Sequence, residues 1–89
     1  MREAFVCINA SPDSIEEVFE ELRACKEVQE VFRVHGVYDI IARVNGETFE
    51  ELSDVISRRI RSLGEVQSVL SMLMIESKKP VRNGELLLV

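Results

Sequence analysis

The 89-residue sequence has no tryptophan, a single tyrosine, a single histidine and only two cysteines. Cys7 and Cys25 are too few and too far apart to build a disulfide framework, and with one histidine they match no zinc-ligand spacing. They read as reduced, buried small residues, and no metal or other cofactor is implied. An excess of basic charge is also missing. Eleven Lys and Arg against 16 Asp and Glu leave a net charge of −5, which repels a phosphate backbone, so direct binding to nucleic acid is not expected. No stretch approaches the roughly 20 apolar residues of a membrane span. The N-terminal MREAFVCINA is too short, and too soon followed by SPDS, for a secretory signal, so a cytoplasmic location is expected. A nucleotide-binding glycine signature, paired catalytic carboxylates and a nucleophile–base pair are all absent, and an enzyme is not expected.

What is present is an ordinary globular composition, 46% hydrophobic and 30% charged, in a chain too short to divide into two stable cores. One domain over residues 1–89 follows. Residues 3–10 (EAFVCINA) are apolar at nearly every position, which suits a strand covered on both faces. A helix then starts: Ser11 is placed to cap it, Pro12 fits the first helical position, and Asp13, Glu16 and Glu17 suit the positive end of the dipole. Ile15, Val18, Phe19 and Leu22 form its buried stripe, and it ends near Cys25. Residues 28–36 and 38–45 are two strand-like runs joined so closely that only a hairpin connects them, with Gly36 at the turn. Thr48 and Glu51 have capping-box spacing, so a second helix begins near Phe49 with the stripe Phe49, Leu52, Ile56, Ile60 and Leu63. Gly64 is placed to end it in a left-handed conformation, and residues 65–75 (EVQSVLSMLMI) read as a long strand. Pro80 and Asn83-Gly84 mark turns before a short apolar strand over residues 86–89.

The order strand, helix, strand, strand, helix, strand specifies an α+β, ferredoxin-like βαββαβ sandwich with an extra C-terminal strand. Two helices cover one side of such a sheet, yet the strands are apolar on both. Val69, Leu73 and Ile75 project one way and Leu70, Met72 and Met74 the other. A monomer would expose a large apolar patch, and a second copy packed sheet to sheet across a two-fold axis is the expected cover.

The run VHGVYDIIARV, followed by a helix and then LGEVQSVLSMLMI, resembles the ligand-binding (RAM) domain of the Lrp/AsnC feast/famine transcription regulators. The resemblance spans about residues 5–75. It implies a homodimer that assembles further into an octamer or decamer, with a small amino-acid ligand held between dimers. Family members show small hydroxyl residues two apart in the last strand. Anchored on Val66, those positions fall on Val69 and Ser71, and Glu65 is inserted between Gly64 and Val66. The first strand begins almost at Met1, leaving no residues for a helix-turn-helix domain, so the chain is expected to be a stand-alone form, co-assembling with DNA-binding Lrp/AsnC paralogues.

That resemblance gives Gly36, Val37, Tyr38, Asp39 and Ser71 a binding role. A free amino acid needs donors for its carboxylate and an acceptor for its ammonium group. Gly36 lets backbone N–H groups approach, Asp39 is placed to take the ammonium, and Tyr38 adds a wall and a hydroxyl. Ser71 completes the polar set. In the structural alternative Gly36 serves the hairpin, Tyr38 packs at a sheet end and Asp39 caps the turn. His35 reads as structural, and Arg58, Arg59 and Arg61 read as a salt-bridged helix face. An amino-acid-responsive module is therefore expected, with a ligand-free oligomerisation module and a small dimeric ferredoxin-like enzyme as alternatives.

Overall fold

A computed structural model describes residues 2–76 and 78. The elements run β1 (Arg2–Ala10), a 3-10 turn (Pro12–Ser14), α1 (Ile15–Arg23), β2 (Val28–Arg33), β3 (Ile40–Gly46), α2 (Phe49–Asp54) continuing as a π-helical segment (Val55–Ile60), and β4 (Val66–Leu73). All neighbouring strands pair antiparallel in the order β2-β3-β1-β4. This is the expected βαββαβ sandwich. The anticipated turns at Pro80 and Asn83-Gly84 and the strand over residues 86–89 lie outside the described residues.

The core forms on one side of the sheet because the strands alternate. Ala4, Val6, Ile8 and Ala10 of β1 and Ile40, Ala42 and Val44 of β3 point to that side and are buried. Val18 and Leu22 from α1, and Leu52, Val55, Ile56 and Ile60 from α2 and its continuation, close over them, with Ile15 and Phe19 at the margin. Gly46 ends β3 where α2 passes: a Cβ there would stand 3.1 Å from the Leu52 backbone nitrogen, so any side chain would push α2 back by a few tenths of an ångström. Cys7 and Cys25 are free and buried, as expected.

Four local expectations are corrected. The Ser11 side chain does not cap α1. It donates to Glu65 Oε2 (3.3 Å) and accepts from Gln67 Nε2 (3.4 Å), while its carbonyl accepts the Ser14 N–H (2.8 Å), giving a 3-10 turn before the α-helix proper. Phe49 stays 41% exposed, because the first turn of α2 faces away from the sheet, and the Arg2 guanidinium lies 4.1 Å from its ring centroid. Val55 takes its place in the stripe: the π-helical segment, with Arg61 N–H donating to Ile56 O (3.0 Å), turns two adjacent residues, Val55 and Ile56, inward. The left-handed residue after the helix is Glu65 (φ 72°), not Gly64, since the chain reverses where the Glu65 carbonyl docks onto the Ser11 N–H (3.2 Å). Finally, the β2–β3 connection is wider than a tight turn at Gly36. It spans residues 34–39, closed by the Val34 N–H donating to Asp39 O (3.0 Å).

The capping box at α2 behaves as its spacing specifies. Thr48 Oγ1 accepts the Glu51 N–H (3.1 Å), and Glu51 Oε2 accepts an N–H one residue further back than usual, from Glu47 (3.3 Å).

Candidate functional site

Residues 34–39 fold over the end of β1. The β3–β1 ladder continues one step past Ile40, with the Asp39 N–H donating to Ile8 O (3.0 Å), and this fixes where the Asp39 side chain can reach. Its Oδ2 accepts the Ala10 N–H (3.1 Å). A second donor comes from Asn9: only the amide orientation that presents Nδ2 to the two acceptors, Asp39 Oδ2 (3.3 Å) and Val37 O (3.0 Å), satisfies them, and Asn9 Oδ1 then accepts from Ser68 Oγ (3.2 Å). Asp39 Oδ1 is left without a donor among the described residues. The result is a carboxylate anchored by one oxygen and open at the other, at the base of a loop whose Val37 is 84% exposed. Tyr38 is half-buried beside it, and His35 and Gly36 are exposed.

Of the residues singled out from sequence, Gly36, Val37, Tyr38 and Asp39 stand together in this loop. Ser71 stands elsewhere. It pairs with Val6 in β4, on the helix side of the sheet, and lines a groove of about 200 Å³ with Ser53, Ser57 and Arg61, walled by Ile56 and Leu73. From the Asn9–Ser68 pair it is three residues along the strand, roughly 10 Å, and on the opposite face. Within one chain the two halves do not meet. Asn9, which does reach the loop, and Ser68, which bonds its amide, carried no local signal: their pairing depends on residues 59 apart in the chain.

The second feature is the side of the sheet away from the helices. Phe32, Leu70 and Met72 are 44%, 47% and 50% exposed there, and Phe5 and Ile41 are half-buried among them. No described segment covers this face. One charged cluster interrupts it: Arg43 pairs with Glu3 (2.8 Å) and Glu30 (2.8 Å). Hydrogen bonding to Glu30 first, then to Glu3, raises the guanidinium further above its ordinary value, so it stays charged.

The basic residues after α2 are partly neutralised. Arg58 pairs with Asp54 (2.8 Å) and Arg59 with Glu27 (3.4 Å), as a solvated helix face would. Among the described residues no group of three His, Cys, Asp or Glu side chains is arranged to hold a metal, and no helix is long and apolar enough to cross a membrane.

Comparison with known proteins adds a family. The model of the Lrp/AsnC ligand binding domain matches residues 3–83. An uncharacterized HTH-type transcriptional regulator of Pyrococcus horikoshii is 28% identical over 76 residues, covering 85% of this chain and 48% of that protein. The chain thus spans about half the length of the curated relatives it matches. A Thermus thermophilus protein of solved structure, TTHA0845, superposes with a TM-score of 0.85 at 31% identity, covering 90% of this chain and all of that one. A Neisseria meningitidis transcriptional regulator solved in complex with L-Met superposes at 0.80 over 89% of this chain and 53% of that one. At 20% identity its likeness is one of fold.

Proposed function

The chain belongs to the Lrp/AsnC ligand-binding domain family, and from that premise we propose that it is an amino-acid-responsive regulatory module that works by assembling with copies of itself. The observation that carries this reading is the Asp39 carboxylate, held through Oδ2 and open at Oδ1. An ammonium group placed against that oxygen gains a charge-assisted bond without displacing the contacts that hold the side chain. Exposed backbone at residues 35–37 offers donors for the carboxylate of the same amino acid. The presence of L-Met in the Neisseria regulator supports the ligand class.

Assembly is the second part of the proposal. The bare sheet face is apolar at Phe5, Phe32, Ile41, Leu70 and Met72 around the Arg43 cluster, which suits a second copy packed face to face. Such dimers would bring the 34–39 loop of one near the Ser71 groove of another in a higher assembly, where one ligand touches two chains. A ligand shifts such an equilibrium only through its different affinity for the two states. DNA-binding relatives with the same domain are the proposed partners, which would make the module a regulator without catalytic activity.

A thermal-shift screen of the twenty coded amino acids tests the ligand, since a compound that binds the native state raises its melting temperature. Calorimetry on Asp39→Ala then tests the residue. Loss of binding with the oligomer intact is the expected result, and an unchanged titration removes Asp39 from the site.

A further inference from the structure

We propose that Asn9 is a positioning residue of this site, setting where the Asp39 carboxylate and the Val37 carbonyl stand, with Ser68 tethering the Asn9 amide from β4. The inference rests on the reading of Asp39 as the ammonium acceptor and adds to it two residues from other strands.

Three observations converge on one spot. The Asn9 amide is saturated: both donors go to the loop, at 3.3 Å to Asp39 Oδ2 and 3.0 Å to Val37 O, and its acceptor takes the Ser68 hydroxyl at 3.2 Å. A side chain that served only as a polar surface residue would have no need of three partners on two other elements. The β1–β4 register also shifts between Asn9 and Ala10, so that Asn9 pairs with Ser68 and Ala10 with Val66, skipping Gln67. The extra residue lies in β4, which bends there, while consecutive residues of β1 serve the same carboxylate, Asn9 through its side chain and Ala10 through its N–H. Lastly, the Ser68 hydroxyl, 3.2 Å from the Asn9 amide, tethers that amide from β4, while the acceptors Asp39 Oδ2 and Val37 O set which way it faces.

The position of this clasp matters as much as its bonds. Asn9 and Ser68 lie on the bare side of the sheet, in register next to the Cys7–Leu70 pair. Anything packed on that face, a second copy in the reading above, lies against the clasp. Occupancy of the face and the geometry of the loop are thereby joined through one amide.

The test uses the full chain with Asn9→Ala, Asn9→Asp and Ser68→Ala. Amide hydrogen exchange at Ala10 reads the clasp, and calorimetric titration with L-methionine and the other nineteen coded amino acids reads the site. Asn9→Ala should accelerate exchange at Ala10 and weaken amino-acid binding, each by about tenfold, with exchange at Val6 and Ala42 unchanged. Asn9→Asp should do more, since it sets two carboxylates together, and Ser68→Ala less, by a few-fold. Wild-type exchange and affinity in Asn9→Ala, or a uniform loss of protection through the core, would overturn the inference. If Asn9→Ala does not fold, Ser68→Ala decides through the same two readings. A wild-type chain that binds no amino acid would overturn the ligand half and the functional reading together, leaving the clasp itself to be decided by exchange at Ala10.

Discussion

The two sides of the sheet are built from the same four strands in alternation, and they differ in nearly everything else. On the helix side Ile8, Ile40, Ala42 and Val44 are fully buried under Leu22, Leu52 and Ile60. On the other, Leu70 and Met72 remain half in water, and the charged cluster of Arg43, Glu3 and Glu30 sits among the apolar side chains. One side is finished by the chain's own helices. The other also carries large apolar side chains, Phe5, Phe32, Ile41, Leu70 and Met72, and has no cover among the described residues, so hydrophobicity alone does not separate core from surface. What separates them is whether an element of the same chain is available to close the layer.

Substitutions that treat the two sides unequally put this contrast to the test. The largest loss of intrinsic stability is expected from Ile8→Ala on the helix side, about 2–5 kcal/mol in urea unfolding, because the cavity opens in a fully packed layer. On the bare side, Leu70→Asp combined with Met72→Asp should leave the circular dichroism of the fold intact and weaken self-association at least about a hundredfold by sedimentation, roughly 2.7 kcal/mol. A wild-type chain that sediments as a monomer at micromolar concentration would break the contrast, since the face would then need no partner. Thr48→Ala removes one cap from the helix side and should cost about 1 kcal/mol by thermal unfolding. The smallest effect, a gain of a few tenths of a kcal/mol, is expected for Glu65→Gly. Relief of the left-handed backbone, about 1 kcal/mol, is partly offset by the lost contact with Ser11.

The contrast also explains what could be read from the sequence. Element order, the stripe of α1, the capping box at Thr48 and the two apolar faces of the last strand all follow from residues within one or two turns of each other, and periodicity reports such relations directly. The exposed Phe49 and the left-handed Glu65 do not. Phe49 has the residue type and spacing of a core position, and only the direction in which α2 leaves Gly46 turns it outward. Gly64 is the better left-handed residue intrinsically, and the long-range bond between Ser11 and Glu65 moves that conformation one place on. The site divides in the same way. Residues 36–39 are contiguous and were visible together, whereas Asn9 and Ser68 enter through the lateral register of β1 with β3 and β4, which no local pattern encodes. Ser71 could be placed on a strand from sequence, but its side of the sheet, relative to the loop, required the pairing with Val6.

The π-helical stretch over Val55–Ile60 has a consequence for how the gene can change. Widened turns of this kind amount to one residue accommodated within an existing helix without lengthening its path. Removing a single codon there would let the backbone tighten to ordinary α-geometry while both ends of the element keep their places. A one-residue gap in this stretch is therefore the length variation this architecture can absorb most readily, and a shortened variant that still folds would carry its arginines in a new rotational phase.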